Sequence, residues 1–363
     1  MFYTDIQTLR GLDLPIDYGS GVEYAAGIVN DLHVSALQIG LWLNGSQGCR
    51  DVVSGKLDQN IHQLFDYIVS QESLEHVFLR VGYEFDNYWF GYSDDPAIFQ
   101  GAFRTMVRIC RKRRACQRKV AFVWHSWAAG FVVPPDDQTS QVDVSAAALP
   151  KSLSLDDFYP GDDVVDWVGL SLFSQFYNKT NQLGHFNNVM DILDFARLHQ
   201  KMVMISESTP YGGINHLDDP WSQWFQPVLD LIGNNTNNIG MWSYINCDWE
   251  SQPMWVNVGF GDSRLTTNRT ILKLWQENVL NNPRFVQGPL KCASSSASYI
   301  YDASKFDLHY IGPNSPGSIP RFYWMGVVVI ALLALCVRFW CSPAKNYIQV
   351  GEVEDGGENA GFR

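Results

Sequence analysis

Two glutamates stand where predicted strands end and could form a pair that cleaves a glycosidic bond. Glu84 follows the apolar, β-prone residues 77–83, and Glu207 follows the similar residues 202–206. In such a pair a protonated carboxyl gives its proton to the leaving oxygen, while an ionised carboxylate attacks the anomeric carbon. A separation of about 5–5.5 Å between the two carboxyls would give retention of configuration. The alternative for Glu84 is a solvated loop residue after a buried strand.

Aromatic residues crowd the same strand ends and could provide flat surfaces for sugar rings. The candidates for substrate contact are Trp89, Trp124, Trp242, Tyr244 and Trp249. Trp89 and Trp249 are favoured because they lie beyond the ends of predicted strands. Core packing is the alternative for each tryptophan within a strand. His125 could contact substrate or, equally well, be a buried histidine bonded to a neighbouring loop.

The elements that must position these residues alternate between strands and helices. Apolar runs predict strands at residues 35–43, 77–83, 119–125, 164–173, 202–206 and 239–245. Helical patterns follow at about residues 57–69, 96–116, 186–199, 221–232 and 267–280. Strands that alternate with helices predict a parallel sheet with helices outside, and the (β/α)8 TIM barrel is its common closed form. Active sites of such barrels lie at the C-terminal ends of the strands.

Six predicted strands do not complete an eight-stranded barrel. If residues 239–245 form the eighth strand, residues 77–83 form the fourth and residues 202–206 form the seventh. The fourth and seventh strands face each other across the mouth of a barrel, which brings the two glutamates within reach. This numbering predicts that the chain lacks the first strand, the first helix and most of the second strand. The absence of a signal peptide at the start agrees with an N-terminally incomplete chain.

Three motifs resemble glycoside hydrolase family 26, the β-mannanase family within the retaining (β/α)8 glycosidases. Residues 80–84, Arg-Val-Gly-Tyr-Glu, resemble the Arg-x-x-His-Glu motif of that family, with tyrosine in place of histidine. Residues 89–91, Trp-Phe-Gly, resemble its Trp-Phe-Trp segment. Residues 159–169 resemble the signature Tyr-Pro-Gly-Asp-x-Tyr-Val-Asp-Trp-x-Gly. The resemblance covers roughly residues 3–280.

The resemblance implies a retaining hydrolase of β-linked polysaccharide, mannan-like or related, that uses no metal or other cofactor. It implies that Glu84 is the general acid/base and Glu207 the nucleophile, with Arg80 and Tyr83 among the substrate-contacting residues. Two alternatives stay open: a non-catalytic carbohydrate-binding surface protein, and a transglycosylase of wall or matrix remodelling. Three aspartates precede the strand at the opposite end of the barrel and are predicted to be structural: Asp162, Asp163 and Asp166.

The C-terminal part of the chain predicts a membrane anchor. Residues 322–337 are uninterruptedly apolar, and the predicted transmembrane helix covers residues 321–341. Arg338 and Lys345 follow the run, which favours a cytoplasmic C-terminus. The domain organisation is therefore a barrel at residues 1–287, a Ser-, Gly- and Pro-rich stalk at 288–320, the helix, and a short tail at 342–363.

Glycosylation sequons and charge agree with a single-pass membrane protein whose barrel is extracellular or luminal. The predicted glycosylation sites are Asn44, Asn178, Asn234 and Asn268. The formal net charge of -12 argues against a nucleic-acid partner, because phosphate binding needs clustered positive charge. The cysteines outside the predicted span permit disulfides of unknown connectivity.

Overall fold

The computed structural model describes residues 1–12, 16–17, 22–23, 25, 29, 36–128, 153–173, 186–253 and 255–285. The predicted stalk, transmembrane helix and tail, and the sequon at Asn178, lie outside these residues. Within the described part of the chain, no helix has both the length and the apolar character needed to cross a bilayer.

Seven parallel strands form the main sheet in chain order. They are β1 (Phe2–Asp5), β2 (Ala36–Trp42), β3 (His76–Val81), β4 (Val120–Ser126), β5 (Trp167–Leu172), β6 (Met202–Ser208) and β7 (Ile239–Trp242). Each strand is hydrogen-bonded in parallel to the next. The six predicted strands are all present, with ends that differ by no more than three residues from the prediction. Two short antiparallel strands, Ile16–Asp17 and Val22–Glu23, form a separate ladder.

The strand β1 lies in the position of the second strand of the predicted barrel, of which most was predicted to be absent. Phe2–Asp5 pairs with residues 39–42 of β2, directly ahead of the strand counted as third. All four of its residues are buried. This strand was not predicted, since it is short and half polar.

Helices cover the outer face of the sheet. They are α1 (Gly45–Val53), α2 (Asp58–Ser70), α3 (Pro96–Arg111), α4 (Arg114–Lys119), α5 (Leu155–Phe158), α6 (Phe186–Leu198), α7 (Gln226–Asn234) and α8 (Arg269–Trp275). The π-helical segments Trp221–Phe225 and Gln276–Leu280 adjoin α7 and α8. The helix α1 was not predicted, and the helix predicted at 96–116 is two helices whose junction is closed by a Cys110–Cys116 disulfide.

The sheet is strongly curved, as in a barrel. Phe78, Val123, Trp167 and Met204 form an apolar cluster on the same strands that carry the site. Gln38 of β2 donates from Nε2 to the backbone carbonyl of Ser206 on β6 at 3.0 Å, across the barrel interior. This bond between strands that are far apart in the sheet requires strong curvature. The parallel sheet with alternating helices thus fits the predicted (β/α)8 barrel.

The aspartates ahead of β5 bind neighbouring helices and strands, as expected for structural residues. Asp163 pairs with Arg104 of α3 at 2.8 Å, and Asp166 pairs with Arg111 at 3.1 Å. Asp162 accepts a hydrogen bond from the His199 ring at 2.8 Å. They lie at the N-terminal ends of the strands, opposite the face that carries Glu84 and Glu207.

Candidate active site

A sharp turn after β3 aims Glu84 at the barrel mouth. Gly82 (φ 57°) and Glu84 (φ 53°) both take left-handed backbone conformations directly after the strand. A Cβ at position 82 would lie 2.6 Å from a ring carbon of Phe99, so glycine is needed there for space as well. The left-handed conformation at Glu84 costs roughly 1–3 kcal/mol and is typical of residues held for function. The Glu84 side chain is buried.

A register shift in β6 places Glu207 on the inner side of the barrel. Leu170 pairs with Ile205, but the next residue of β5, Ser171, pairs with Glu207. The bulge lets two consecutive residues, Ser206 and Glu207, both face inward. Two contacts show this orientation. The Oγ of Ser206 would lie 2.6 Å from a Cβ placed on the inward-facing Gly169, and Glu207 accepts a hydrogen bond from the buried Arg80. Regular alternation would have turned Glu207 toward the helices.

The two carboxylates lie close enough for retaining hydrolysis. One oxygen of Glu84 and one of Glu207 lie within 4.8 Å of each other, and both side chains are buried. Retaining glycosidases hold their carboxyls about 5–5.5 Å apart, whereas inverting enzymes need roughly 6.5–9.5 Å to fit a water molecule. The pair that the sequence predicted is therefore brought together at the retaining distance.

Arg80 provides the positive charge beneath the pair. It is fully buried, forms an ion pair with Glu207, and lies with its guanidinium carbon 4.8 Å from the Tyr3 ring centre. Tyr83 contacts the same guanidinium at 5.4 Å. Gly40 leaves the space, since a Cβ there would lie 2.9 Å from Nη2 of Arg80. Both side chains are buried and pack on each other, and their predicted contact with substrate stays a prediction.

His125 and Ser171 link Arg80 to Glu84. The Nδ1 of His125 lies 3.2 Å from Nη1 of Arg80, and its Nε2 lies 3.1 Å from Oγ of Ser171. Ser171 donates to Oε1 of Glu84 at 2.5 Å. His125 is thus a satisfied histidine between the two carboxylates, bonded to inner side chains rather than to a loop. Ser171 was missed by the sequence analysis, although it is a polar residue that alternates with Trp167 and Gly169 on the inner face.

The surroundings of Glu84 favour its protonated form. Burial, and then the negative charge of Glu207, raise the pKa of Glu84 well above its ordinary value. The hydrogen bond from Ser171 and the charge of Arg80 oppose this shift without cancelling it. Burial also raises the pKa of the nearby Asp86 to about 6. Asp86 accepts hydrogen bonds from Ser126 and from the backbone of Trp127, so it fixes the end of β4.

Three side chains of this site could offer ligand atoms to a metal ion. Ligand atoms of Glu84, His125 and Glu207 all lie within 4.8 Å of one another. However, Arg80 bonds both Glu207 and the Nδ1 of His125, and Ser171 bonds the Nε2. A cation would have to displace these bonds beside a buried guanidinium charge, so the residues fit a carboxylate pair better than a metal.

Two predicted sugar platforms are core residues instead. Trp124 is fully buried on the outer side of β4, stacked on Phe85 at 4.3 Å, and its Nε1 donates to the carbonyl of Phe158. Tyr244 is also fully buried, and its hydroxyl donates to the carbonyl of Ser263 at 2.6 Å. Strand alternation explains the first correction, because Trp124 must face away from the barrel interior when His125 faces into it.

The other predicted platforms divide by exposure. Trp249 is 2% exposed, and its ring stacks on Phe260 at 4.9 Å, so neither side is free for a sugar ring. Trp242 is partly buried and packs on Trp275 of α8, with its Nε1 bonded to Ser208. Trp89 is 39% exposed and keeps the accessibility that a platform needs.

Most members of an aromatic cluster next to the barrel mouth were not assigned from the sequence. Its buried members include Tyr3, Tyr83 and Phe173, and partly buried aromatic residues pack against it: Trp42, Phe90, Trp127, Tyr211 and Trp255. The residues come from strands and loops that are far apart in the sequence, which is why spacing along the chain did not reveal them. Of the glycosylation candidates, Asn234 is exposed, whereas Asn44 is partly buried and Asn268 caps α8 through its side chain.

Known proteins with similar sequences are bacterial β-1,3-xylanases. The chain is 29% identical over 307 residues to a β-1,3-xylanase of a Vibrio species, covering 78% of this chain and 60% of that protein. It is 29% identical over 306 residues to a β-1,3-xylanase of an Alcaligenes species, covering 78% and 58%. The chain thus spans about three fifths of the length of these relatives. No family model matches it.

Similar solved structures include family 26 mannanases. A Cellulomonas fimi endo-β-1,4-mannanase double mutant has a TM-score of 0.48 at 16% identity, covering 72% of this chain and 57% of that one. A modular endo-β-1,4-mannanase of the same organism, described among glycoside hydrolase family 26 mannanases, has a TM-score of 0.46 at 13% identity, covering 79% and 71%. The relatives with similar sequences are glycosidases, the class of enzyme that the motifs predicted.

Proposed function

We propose that this family-26-like chain is a retaining glycoside hydrolase that cleaves β-linked polysaccharide. The observation that carries the proposal is the pair of buried carboxylates, Glu84 and Glu207, with oxygens within 4.8 Å of each other. Their surroundings differ in the way that two-glutamate catalysis requires. Glu84 has a raised pKa, while Glu207 is paired with the Arg80 guanidinium.

In the first step the two glutamates act together on the glycosidic bond. The carboxylate of Glu207 attacks the anomeric carbon, and the carboxyl of Glu84 transfers its proton to the departing oxygen. The products are a glycosyl ester on Glu207 and a shortened glycan that leaves with the proton of Glu84. Arg80 holds Glu207 in place during the attack, and the Tyr3 ring packs on the Arg80 guanidinium.

In the second step Glu84 reverses its role. Esterification removes the negative charge of Glu207, which is one of the causes that raise the pKa of Glu84. Glu84 is then more easily ionised, and as a carboxylate it takes a proton from the attacking water. The Glu207 ester is cleaved, the anomeric carbon regains its original configuration, and both glutamates return to their starting states.

For the substrate we propose a β-1,3-linked xylan, with β-mannan as the second polysaccharide to be tried. The support is sequence similarity: both relatives aligned over more than three quarters of the chain are β-1,3-xylanases. The aromatic cluster around the mouth, together with the exposed Trp89, suits stacking on flat sugar faces. Cleavage within the polymer would release a series of short oligosaccharides.

The test compares the chain with three charge-neutralising variants on β-1,3-xylan and β-1,4-mannan. Glu84→Gln and Glu207→Gln are each expected to lower kcat/KM by about 10³-fold or more, since each removes one half of the double displacement. Glu277→Gln changes charge equally, but at an exposed residue of the last helical segment, and should act like the parent chain. Parent-like turnover in either active-site variant would contradict the proposal, as would binding of xylan without hydrolysis.

We further propose that the barrel is extracellular or luminal and anchored by residues 321–341, with a cytoplasmic C-terminus. The support lies in the sequence: residues 322–337 contain no charged side chain, and the sequons precede them. In membranes from expressing cells, enzymatic removal of N-linked glycans should increase the electrophoretic mobility of the protein. Thr236→Ala removes the exposed sequon of Asn234 and should reduce that shift. A soluble, unshifted protein would contradict this topology.

A further inference from the structure

The inner face of the barrel carries a continuous hydrogen-bonded chain from Arg80 to Glu84. Arg80 Nη1 lies 3.2 Å from Nδ1 of His125, whose Nε2 lies 3.1 Å from Oγ of Ser171. Ser171 Oγ lies 2.5 Å from Oε1 of Glu84. The four side chains are buried and come from β3, β4, β5 and the turn after β3. The proposed hydrolysis gives roles to Arg80 and Glu84 at the two ends of this hydrogen-bonded series, but none to His125 and Ser171 between them.

The hydrogen bonds of this series all run in one direction, from Arg80 to Glu84. A guanidinium can only donate, so Nδ1 of His125 accepts from Arg80. Burial and the charge of Arg80 lower the pKa of His125 well below its ordinary value, so the ring is neutral and carries its hydrogen on Nε2. That hydrogen goes to Oγ of Ser171. The single hydroxyl hydrogen of Ser171 is then directed to Oε1 of Glu84.

The direction of donation decides which oxygen of Glu84 carries the acid proton. Oε1 accepts a short hydrogen bond from Ser171 and is therefore the carbonyl-type oxygen of the protonated carboxyl. The other oxygen, Oε2, accepts only a long, weak hydrogen bond of 3.5 Å from Nδ2 of Asn87 among the described residues. We propose that Ser171, oriented by His125, is a positioning residue that directs the transferable proton of Glu84 to Oε2. This inference rests on the proposed function.

The other groups around Glu84 remain unchanged when Ser171 is altered. The charged or titratable residues that face it are Glu207 on β6, Arg80 on β3 and His125 on β4. Tyr3 and Tyr83 stack on Arg80, and Asp86 is turned toward Ser126 and Trp127. A change in the titration of Glu84 in Ser171→Ala therefore reports the loss of the Ser171 hydroxyl, which donates to Glu84 and accepts from His125.

The test measures kcat/KM against pH for Ser171→Ala with two substrates. One is an unactivated β-1,3-xylo-oligosaccharide, and the other is a 2,4-dinitrophenyl β-xylobioside whose leaving group departs without protonation. We expect a loss of about tenfold or more on the oligosaccharide and less than about twofold on the aryl glycoside. The alkaline limb on the oligosaccharide should move up by about one pH unit, because a donor that stabilised ionised Glu84 is gone.

Ser206→Ala is the matched control. Ser206 is a buried serine on the same inner face, and its Oγ has no hydrogen-bond partner among the described residues. This variant should match the parent chain on both substrates. If Ser171→Ala does not fold, Ser171→Cys keeps the volume with a weaker donor and should give the same dependence on the leaving group.

Equal losses on the two substrates, or an unmoved alkaline limb, would overturn the role of Ser171 while leaving the glutamate pair intact. A parent chain that cleaves neither substrate would overturn the proposed function itself. The two failures are distinguishable, because only the first leaves an active parent enzyme.

Discussion

The charge of Glu207 should control the titration of Glu84, and its removal gives a quantitative prediction. In Glu207→Gln the neighbouring negative charge is lost, while the burial of Glu84 is unchanged. Two unit charges no more than 4.8 Å apart repel by about 3.5 kcal/mol or more at an effective dielectric constant of ~20. Since one pKa unit corresponds to about 1.4 kcal/mol, the pKa of Glu84 should fall by about 2.5 units.

The assay is a carbon-13 NMR titration of the chain labelled at the glutamate side-chain carboxyls. The resonance that disappears in Glu84→Gln is assigned to Glu84 and followed from pH 3 to 10 in the parent chain and in Glu207→Gln. Glu277→Gln, which neutralises an exposed glutamate, should leave the titration unchanged. A fall of less than about 0.5 unit in Glu207→Gln would refute close electrostatic contact between the two carboxylates. The same fall is what the proposed mechanism needs when Glu207 is esterified.

Three further perturbations test the groups that support the pair. Arg80→Met should lower kcat/KM by about 100-fold or more, because the buried Glu207 loses its counter-charge; Arg80→Lys, compared in the same assay, should lose less. Gly40→Ala should lower the free energy of unfolding by about 1–3 kcal/mol in urea titrations, and activity with it, because its Cβ would lie 2.5 Å from the Tyr3 ring. The free energy of unfolding of Asp86→Asn, relative to that of the parent chain, should rise by about 2–3 kcal/mol between pH 4 and 7. The reason is the raised pKa of Asp86: the buried carboxyl stabilises the parent chain while it is protonated, and this stability is lost as the pH rises through about 6. Parent-like values in these assays would contradict the corresponding contacts.

The strands were predictable because most of them are short, strongly apolar runs between helical patterns. The strand β1 was not, since Phe2–Asp5 has only two apolar residues of the β-prone kind and is buried through pairing with β2. The helix α1 was missed because Gly45–Val53 contains two glycines and several polar residues. Its position is set by packing against α3 more than by helical propensity.

The two glutamates were predictable as strand-end residues, but their geometry was not. The inward position of Glu207 depends on the register shift opposite Leu170 and Ser171, and no sequence pattern predicts that shift. Other errors were avoidable. Alternation along β4 allows only one of Trp124 and His125 to face the site, and alternation along β5 places Ser171 on the inner face.

The aromatic residues show the limit of predictions from position along the chain. Trp249 lies beyond a strand end, as a platform should, but Phe260 and Trp255 from a later loop cover it. Tyr83 is next to Glu84 in the sequence, but its ring packs on Arg80. Contacts between distant loops decide which ring reaches solvent, and a local pattern carries no information about them.

The configuration of the first-formed product tests the central claim most directly. Proton NMR of β-1,3-xylan hydrolysis, recorded before mutarotation, reports the anomer released at the new reducing end. Carboxylate oxygens of Glu84 and Glu207 within 4.8 Å predict that the β-anomer appears first and the α-anomer follows by slow mutarotation. Initial release of the α-anomer would show inversion and contradict the account.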